Sequence, residues 1–97
     1  MGRTEIALAD QMRAAFRDPA AWDETPMPDG STVFRRSHGH VTVTAWVLSG
    51  GQVGGDVQTA VYAQVWGGTP QEAVEHAEAV CGDWGFDSLD ARDALTG

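Results

Sequence analysis

Residues 41–48, with the sequence VTVTAWVL, alternate between two kinds of side chain along their whole length. The odd-numbered positions are all aliphatic, whereas the even-numbered positions carry two threonines, Trp46 and Leu48. Because successive side chains of a strand point to opposite faces, this period of two predicts a β-strand with one aliphatic face. Helices are needed to cover that face, so the stretch predicts an α+β fold.

Two further runs share this period and flank the first one. Residues 31–37 precede it, and residues 57–66 follow a glycine-rich stretch at 49–56 that we assign to a flexible hairpin loop. Short connections favour antiparallel pairing of consecutive strands, so we predict a three-stranded antiparallel sheet. Five valines are predicted to form the aliphatic face under the helices: Val41, Val43, Val47, Val61 and Val65.

A helix is predicted before these strands. Within residues 4–17 the apolar side chains fall on one arc of a helix and the charged ones fall opposite. Pro19 ends this helix, because the residue before a proline disfavours the helical conformation. Residues 19–30 hold three prolines and finish in the turn pair Asp29-Gly30, so we assign them to a loop.

A second helix is predicted after the strands. Thr69 suits its N-cap, Pro70 its first position, and Glu72 the third position of a capping box. It runs to about Cys81 or Gly82, and residues 87–95 add a short final helix. The sequence therefore predicts one α+β domain over residues 1–97 in the order α-β-β-β-α plus a short C-terminal helix, with the helices on one face.

The charge of the chain is strongly negative and unevenly distributed. Fourteen acidic residues stand against six basic ones, all arginines, for a net charge of −8. Residues 1–36 carry six acids and five arginines, a balance of −1, whereas residues 37–97 carry eight acids and one arginine, a balance of −7. Such a field repels phosphates and attracts basic surfaces. We therefore expect a basic protein partner and no direct binding of nucleic acid.

Residues 48–52 read LSGGQ, which resembles the signature loop of ABC-type ATPases. In that family the loop acts together with a P-loop whose lysine neutralises the nucleotide phosphates. This chain contains no lysine, and its LSGGQ does not open a predicted helix. We take the match as a coincidence.

Other chemistries find little support in the sequence. No apolar run approaches the roughly 18–20 residues that cross a bilayer, and Cys81 as the single cysteine cannot form an intrachain disulfide, so we expect a cytoplasmic protein without membrane contact. His38 and His40 could supply two metal ligands, with Cys81 or His76 as a third. Because the H-x-H pattern is unspecific, we predict no metal site, no cofactor and no catalytic residue.

A row of carboxylates is the first candidate site. Residues three apart on a helix have Cβ atoms about 5–6 Å from each other. Such a row could imitate part of a nucleic-acid backbone, which carries one charge per roughly 3.4 Å of each strand. A solvated outer helix face is the alternative interpretation. The row comprises Glu72, Glu75, Glu78, Asp83, Asp87, Asp90 and Asp93.

An aromatic sheet face is the second candidate site. Four aromatic residues share one parity on the predicted strands: Phe34, Trp46, Tyr62 and Trp66. If both helices cover the valine face, this face is left open as an interface for a second copy or a protein partner. The alternative is that the N-terminal helix or the proline-rich loop, including Trp22, covers it.

Two resemblances bear on function. Residues 67–77 (GGTPQEAVEHA) resemble the strand-to-helix corner of HicB-type antitoxins, which implies an acidic protein with a basic partner. The short, lysine-free, acidic chain, with an alanine-rich helix ending in Asp83-Trp84-Gly85, resembles small phage-encoded anti-CRISPR proteins. That resemblance implies inhibition of an effector complex, in the cytoplasm of the host cell.

The sequence thus predicts a non-enzymatic inhibitor that occupies a basic, nucleic-acid-handling surface of a partner, such as a CRISPR effector complex. The alternative is a structural, assembly or antitoxin-like module that self-associates through the aromatic face, for example as a homodimer.

Overall fold

The computed structural model describes residues 7–86, which form a five-stranded antiparallel sheet and two α-helices. The strands are neighbours in chain order from β1 to β5, so the sheet is a simple meander. The elements are α1 (Leu8–Ala15), a 3-10 turn (Pro19–Ala21), β1 (Asp23–Pro26), β2 (Thr32–His38), β3 (Val41–Val47), β4 (Val53–Gln58), β5 (Ala63–Gly67) and α2 (Pro70–Asp83).

The prediction of a three-stranded sheet is wrong, because two predicted loops contain strands. β1 lies within the proline-rich stretch 19–30, and most of β4 lies within the glycine-rich stretch 49–56. The predicted strand 57–66 is divided by a turn, where the Thr59 amide donates to the Tyr62 carbonyl at 2.8 Å. Its two parts are the end of β4 and most of β5, and they pair with each other.

Gly54 and Gly55 lie within β4, where tryptophan side chains and neighbouring backbone atoms approach them closely. A Cβ atom on Gly54 would lie 2.5 Å from the Trp66 carbonyl oxygen and 3.2 Å from Trp46 Nε1. On Gly55 it would lie 2.5 Å from the Thr44 carbonyl oxygen and 2.6 Å from Trp66 Nε1. No side chain fits at either position, so these glycines mark a close approach within the sheet and not a flexible loop.

The pairing registers decide which side chains share a face of the sheet. Phe34 pairs with Ala45, Ala45 pairs with Gly55, and Gly55 pairs with Trp66. Even-numbered residues of β2 and β5 therefore lie on the same face as odd-numbered residues of β3 and β4. Both helices pack on this side, which we call the covered face, and the opposite side is the open face.

The predicted valine face is correct in β3 and wrong beyond it. The three valines of β3 lie on the covered face and belong to the core or pack against it. Val61, in the turn between β4 and β5, is 96% exposed, and Val65, on the open face, is 66% exposed. The cause is the register: Gln58 pairs with Ala63, which inverts the parity between β4 and β5.

The core lies between the covered face and the helices. α2 contacts β3, β4 and β5, and α1 packs mainly against α2. An aromatic cluster joins the end of α1 to the sheet, since the Phe16 ring lies 4.7 Å from Trp22 and 5.2 Å from Phe34 between centroids. The helices contribute Met12, Phe16, Ala73, Val74, Ala77, Val80 and Cys81 to this core.

The predicted start of α2 is confirmed. Glu72 donates its backbone N–H to the Thr69 hydroxyl at 3.2 Å, and the Thr69 amide donates to the Glu72 carboxylate at 3.0 Å. This capping box fixes the corner between β5 and α2. The predicted helix 87–95 lies outside the described residues. Within residues 7–86, neither helix has the length and apolar character needed to cross a bilayer.

Candidate functional site

The outer side of α2 carries exposed carboxylates. Because Ala73, Val74 and Ala77 face the core, the helical period turns Glu72, Glu75 and Asp83 toward solvent. None of these three forms an ion pair within residues 7–86. We call these residues the α2 acidic face. Only this part of the predicted row is brought together by the described structure.

Glu78 is separated from the rest of the predicted row. Its side chain is only 16% exposed and points to the end of α1. There it accepts the backbone N–H of Arg17 at 2.8 Å, and the Arg17 Nε lies 3.6 Å from its other oxygen. Glu78 therefore joins the two helices. Asp87, Asp90 and Asp93, the remainder of the row, lie outside the described residues.

Arg13 of α1 pairs with acidic residues of α1 and of β1. Arg13 Nε donates to Glu24 at 2.9 Å, and its terminal nitrogens contact Glu24 and Asp10. These bonds hold the pKa of the Glu24 carboxyl below its ordinary value and raise the pKa of Arg13. An arginine thus lies beside the acids at the junction of α1 and β1, whereas within residues 7–86 none forms an ion pair with the α2 acidic face.

The predicted aromatic face is split between two sides of the sheet. Phe34 and Trp66 are core residues on the covered face, 2% and 8% exposed. Trp46 lies on the open face and is half-buried over Gly54. Tyr62 lies exposed in the turn before β5, where its hydroxyl donates to Gln64 at 3.0 Å. The four residues therefore do not form one interface.

An exposed apolar edge at β5 is the feature that sequence reasoning missed. β5 is the last strand of the sheet, and Val65 is its largest exposed apolar side chain. On the covered side of the same edge, the exposed rings of Tyr62 and Trp84 lie 6.2 Å apart between centroids. The available signal was the composition of residues 63–67, which contain no charge and no proline.

An open cleft of about 270 Å³ lies beside the junction of the helices. Three of the charged groups in its wall have structural partners: Glu78 pairs with Arg17, and the Arg36 guanidinium lies 5.5 Å from the centroid of the Phe86 ring. The cleft is lined by Arg17, Asp18, Ala21, Trp22, Arg36 and Glu78. The Arg17–Glu78 pair and the Arg36–Phe86 contact stabilise the fold around this cleft.

The histidines and the cysteine lie in separate environments. His38 ends β2 with its ring 5.8 Å from Phe86, and His40 is exposed in the following turn. His76 stacks on Trp66 at 4.3 Å between centroids and 10° between planes, while Cys81 is buried in the core. Over residues 7–86, no three His, Cys, Asp or Glu side chains are grouped to hold a metal ion.

Comparison with protein-family models, curated proteins and solved structures finds no significant match to this chain. Function must therefore be argued from its own residues.

Proposed function

We propose that this chain is a non-enzymatic protein-binding inhibitor whose α2 acidic face occupies a basic, nucleic-acid-handling surface of a partner. The observation that carries the proposal is the contrast in charge compensation. Arg13 and Arg17 pair with acids near α1, whereas Glu72, Glu75 and Asp83 have no cation beside them in the described residues. Unpaired carboxylates on a rigid helix attract a basic surface.

The dimensions of this face suit a groove that normally holds a nucleic-acid backbone. Glu72 and Glu75 are one helical turn apart, and Asp83 lies about 12 Å further along the axis at 1.5 Å per residue. Their helix is fixed at its start by the capping box and along one side by the core. A partner would thus meet charges in preset positions and lose little entropy in ordering them. A CRISPR effector complex is a partner of this kind.

A second candidate function is a structural or assembly module. It is favoured by the exposed apolar edge at β5, where Val65, Tyr62 and Trp84 are all exposed. The aromatic face that the sequence predicts as the surface for self-association is not a single surface, because Phe34 and Trp66 are buried in the core.

Two double variants with equal charge change test the acidic face. The first is Glu75→Gln with Asp83→Asn; Glu72 is left intact because it completes the capping box. The control is Asp23→Asn with Asp56→Asn, which removes the same charge from the open face of the sheet. Each protein is titrated into CRISPR effector complexes bound to labelled target DNA, and displacement of the DNA is followed by fluorescence anisotropy.

The wild type and the control should displace the DNA alike. The α2 variant should be weaker by at least about tenfold, since losing a carboxylate from a desolvated charge pair costs 2–5 kcal/mol and 1.4 kcal/mol is a factor of ten. Equal displacement by both variants would assign the binding to another surface. No displacement by the wild type, together with no basic nucleic-acid-binding protein retained from nuclease-treated lysate, would contradict the proposal.

A further inference from the structure

The free edge of β5 presents backbone groups that a new strand could bond. The Thr59 amide donates to the Tyr62 carbonyl, so these two residues form a hydrogen-bonded pair at the end of the β4–β5 ladder. Because bonded and non-bonded pairs alternate in an antiparallel ladder, Gln64 and Trp66 bond to β4. The N–H and C=O groups of Ala63, Val65 and Gly67 therefore point away from the sheet, and no described element bonds to them.

The side chains along this edge do not obstruct pairing. Residues 63–67 contain no charge and no proline, and either would normally protect an edge strand. Val65 is 66% exposed and lies beside Ala63 and Gly67 on the open face. A neighbouring strand could thus bond the backbone and cover Val65 together.

We propose that β5 pairs antiparallel with β5 of a second copy of this chain, across a two-fold axis at Val65. The two five-stranded sheets then become one continuous sheet. Val65 faces Val65 of the second copy, and each Ala63 faces a Gly67. All three pairs use outward-pointing backbone groups, which gives about six hydrogen bonds at two per pair.

The uncharged edge permits pairing with a second copy, and its self-complementarity favours that occupant. Two chains of net charge −8 repel each other wherever acids would face acids. At β5 no charged residue opposes another in the symmetric register, whereas at β1 the same pairing would bring Asp23 and Glu24 toward their own copies. A two-fold interface also needs only one self-complementary patch, and Val65 between two small residues supplies it.

Long-range repulsion should make this dimer sensitive to salt. The two-fold axis is perpendicular to the sheet, so the α2 helices of both copies lie on the same side. Their exposed carboxylates repel each other, and added salt screens that repulsion. Dimerisation is thus expected to strengthen with salt, whereas binding of the α2 acidic face to a basic partner weakens. The two proposals can fail independently.

The test is sedimentation of the full chain at low and high salt, up to about 1 mM protein. Val65→Glu places two carboxylates opposite each other and beside Asp56, the β4 partner of residue 65, and like charges in an interface cost several kcal/mol, so dimerisation should weaken at least ~100-fold. The matched control is Val61→Glu, which makes the same charge change at an exposed turn residue and should leave dimerisation within about twofold. Circular dichroism checks that both variants are folded.

A covalent trap tests the register itself. Paired residues in a bonded position have Cα atoms about 5.5 Å apart and Cβ atoms roughly 5.5 Å apart, which is too far for an unstrained disulfide but within reach of a short thiol-specific cross-linker. Val65→Cys should therefore be cross-linked to a dimer much faster than Val61→Cys, and the difference should disappear at protein concentrations too low for dimerisation. A wild type that stays monomeric under all these conditions overturns the proposal. A dimer that persists in a folded Val65→Glu variant also overturns it, because another surface would then hold the copies together.

Discussion

Strand β1 closes one edge of the sheet with the sequence DETP, whereas β5 closes the other with AQVWG. Every residue of β1 is exposed, and the strand carries two acids and Pro26. Charges and proline on an edge strand discourage pairing with another chain. β5 has neither, although it is one residue longer and exposes Val65.

The two edges are also attached to the molecule differently. β1 is tied to α1 by the Arg13–Glu24 pair at the solvent-exposed surface. β5 is tied to the core by Trp66, whose indole lies against Gly55 and stacks on His76. Polar contacts therefore hold the protected edge, and a buried aromatic side chain holds the unprotected one. The two edges therefore differ in their attachment to the core as well as in the residues that discourage pairing.

The anchoring of β5 can be broken at a single residue. Trp66→Ala should lower the free energy of unfolding by about 3–5 kcal/mol, because it removes a large buried ring and leaves a cavity. Val65→Ala, one position earlier on the open face, should change it by no more than about 0.5 kcal/mol. Chemical denaturation measures both values. Similar losses at the two positions would show that β5 does not alternate between core and solvent.

The next largest loss of stability is expected at Gly55, where the backbone of β4 lies close beneath the Trp66 indole. Gly55→Ala should cost about 2–3 kcal/mol, because the new Cβ would overlap the Thr44 carbonyl oxygen and the Trp66 indole. Gly50→Ala is the matched control, since nothing lies within 4 Å of its Cβ position. Its effect should stay within about 0.5 kcal/mol. If Gly55→Ala left the free energy of unfolding unchanged, residues 49–56 would have to be assigned to a flexible loop, as the sequence predicts.

The attachment of β1 should be weaker and sensitive to pH. Arg13 lowers the pKa of Glu24 below 4.5, so the pair stabilises the fold above that pH and loses its effect as the pH falls through the lowered value. Glu24→Gln should cost at most about 0.5 kcal/mol at pH 7, because solvent screens the pair. Denaturation midpoints of wild type and variant should converge once the pH falls below the lowered pKa of Glu24. A constant difference across this range would exclude the ion pair as its cause.

Local patterns predicted part of the fold. The alternation in residues 41–48 predicted β3, and the Thr69–Glu72 capping box predicted the start of α2, because both depend on neighbours in the sequence. β1 and β4 were missed because proline and glycine usually mark loops. An edge strand accepts Pro26, and a strand beneath tryptophans requires Gly54 and Gly55.

The candidate sites were predicted less well for the same reason. Helical spacing correctly placed Glu72 and Glu75 on the outer side of α2, but it could not show that Glu78 reaches Arg17, which lies 61 residues away in the chain. The even numbering of both residues predicted that the side chains of Phe34 and Trp46 lie on one face of the sheet. In the structure Phe34 pairs with Ala45, so Trp46 lies on the opposite face. A shift of one residue in a hairpin moves every later side chain to the opposite face.

The negative charge, the period of β3 and the cap of α2 follow from the amino-acid sequence alone, because each is a property of composition or of residues close together in the chain. The folded arrangement determines that two tryptophans lie over the glycines with which they pair, which acids meet arginines, and which strands form the edges of the sheet. Those outcomes depend on the pairing register and on contacts between distant segments, and neither is encoded in local spacing.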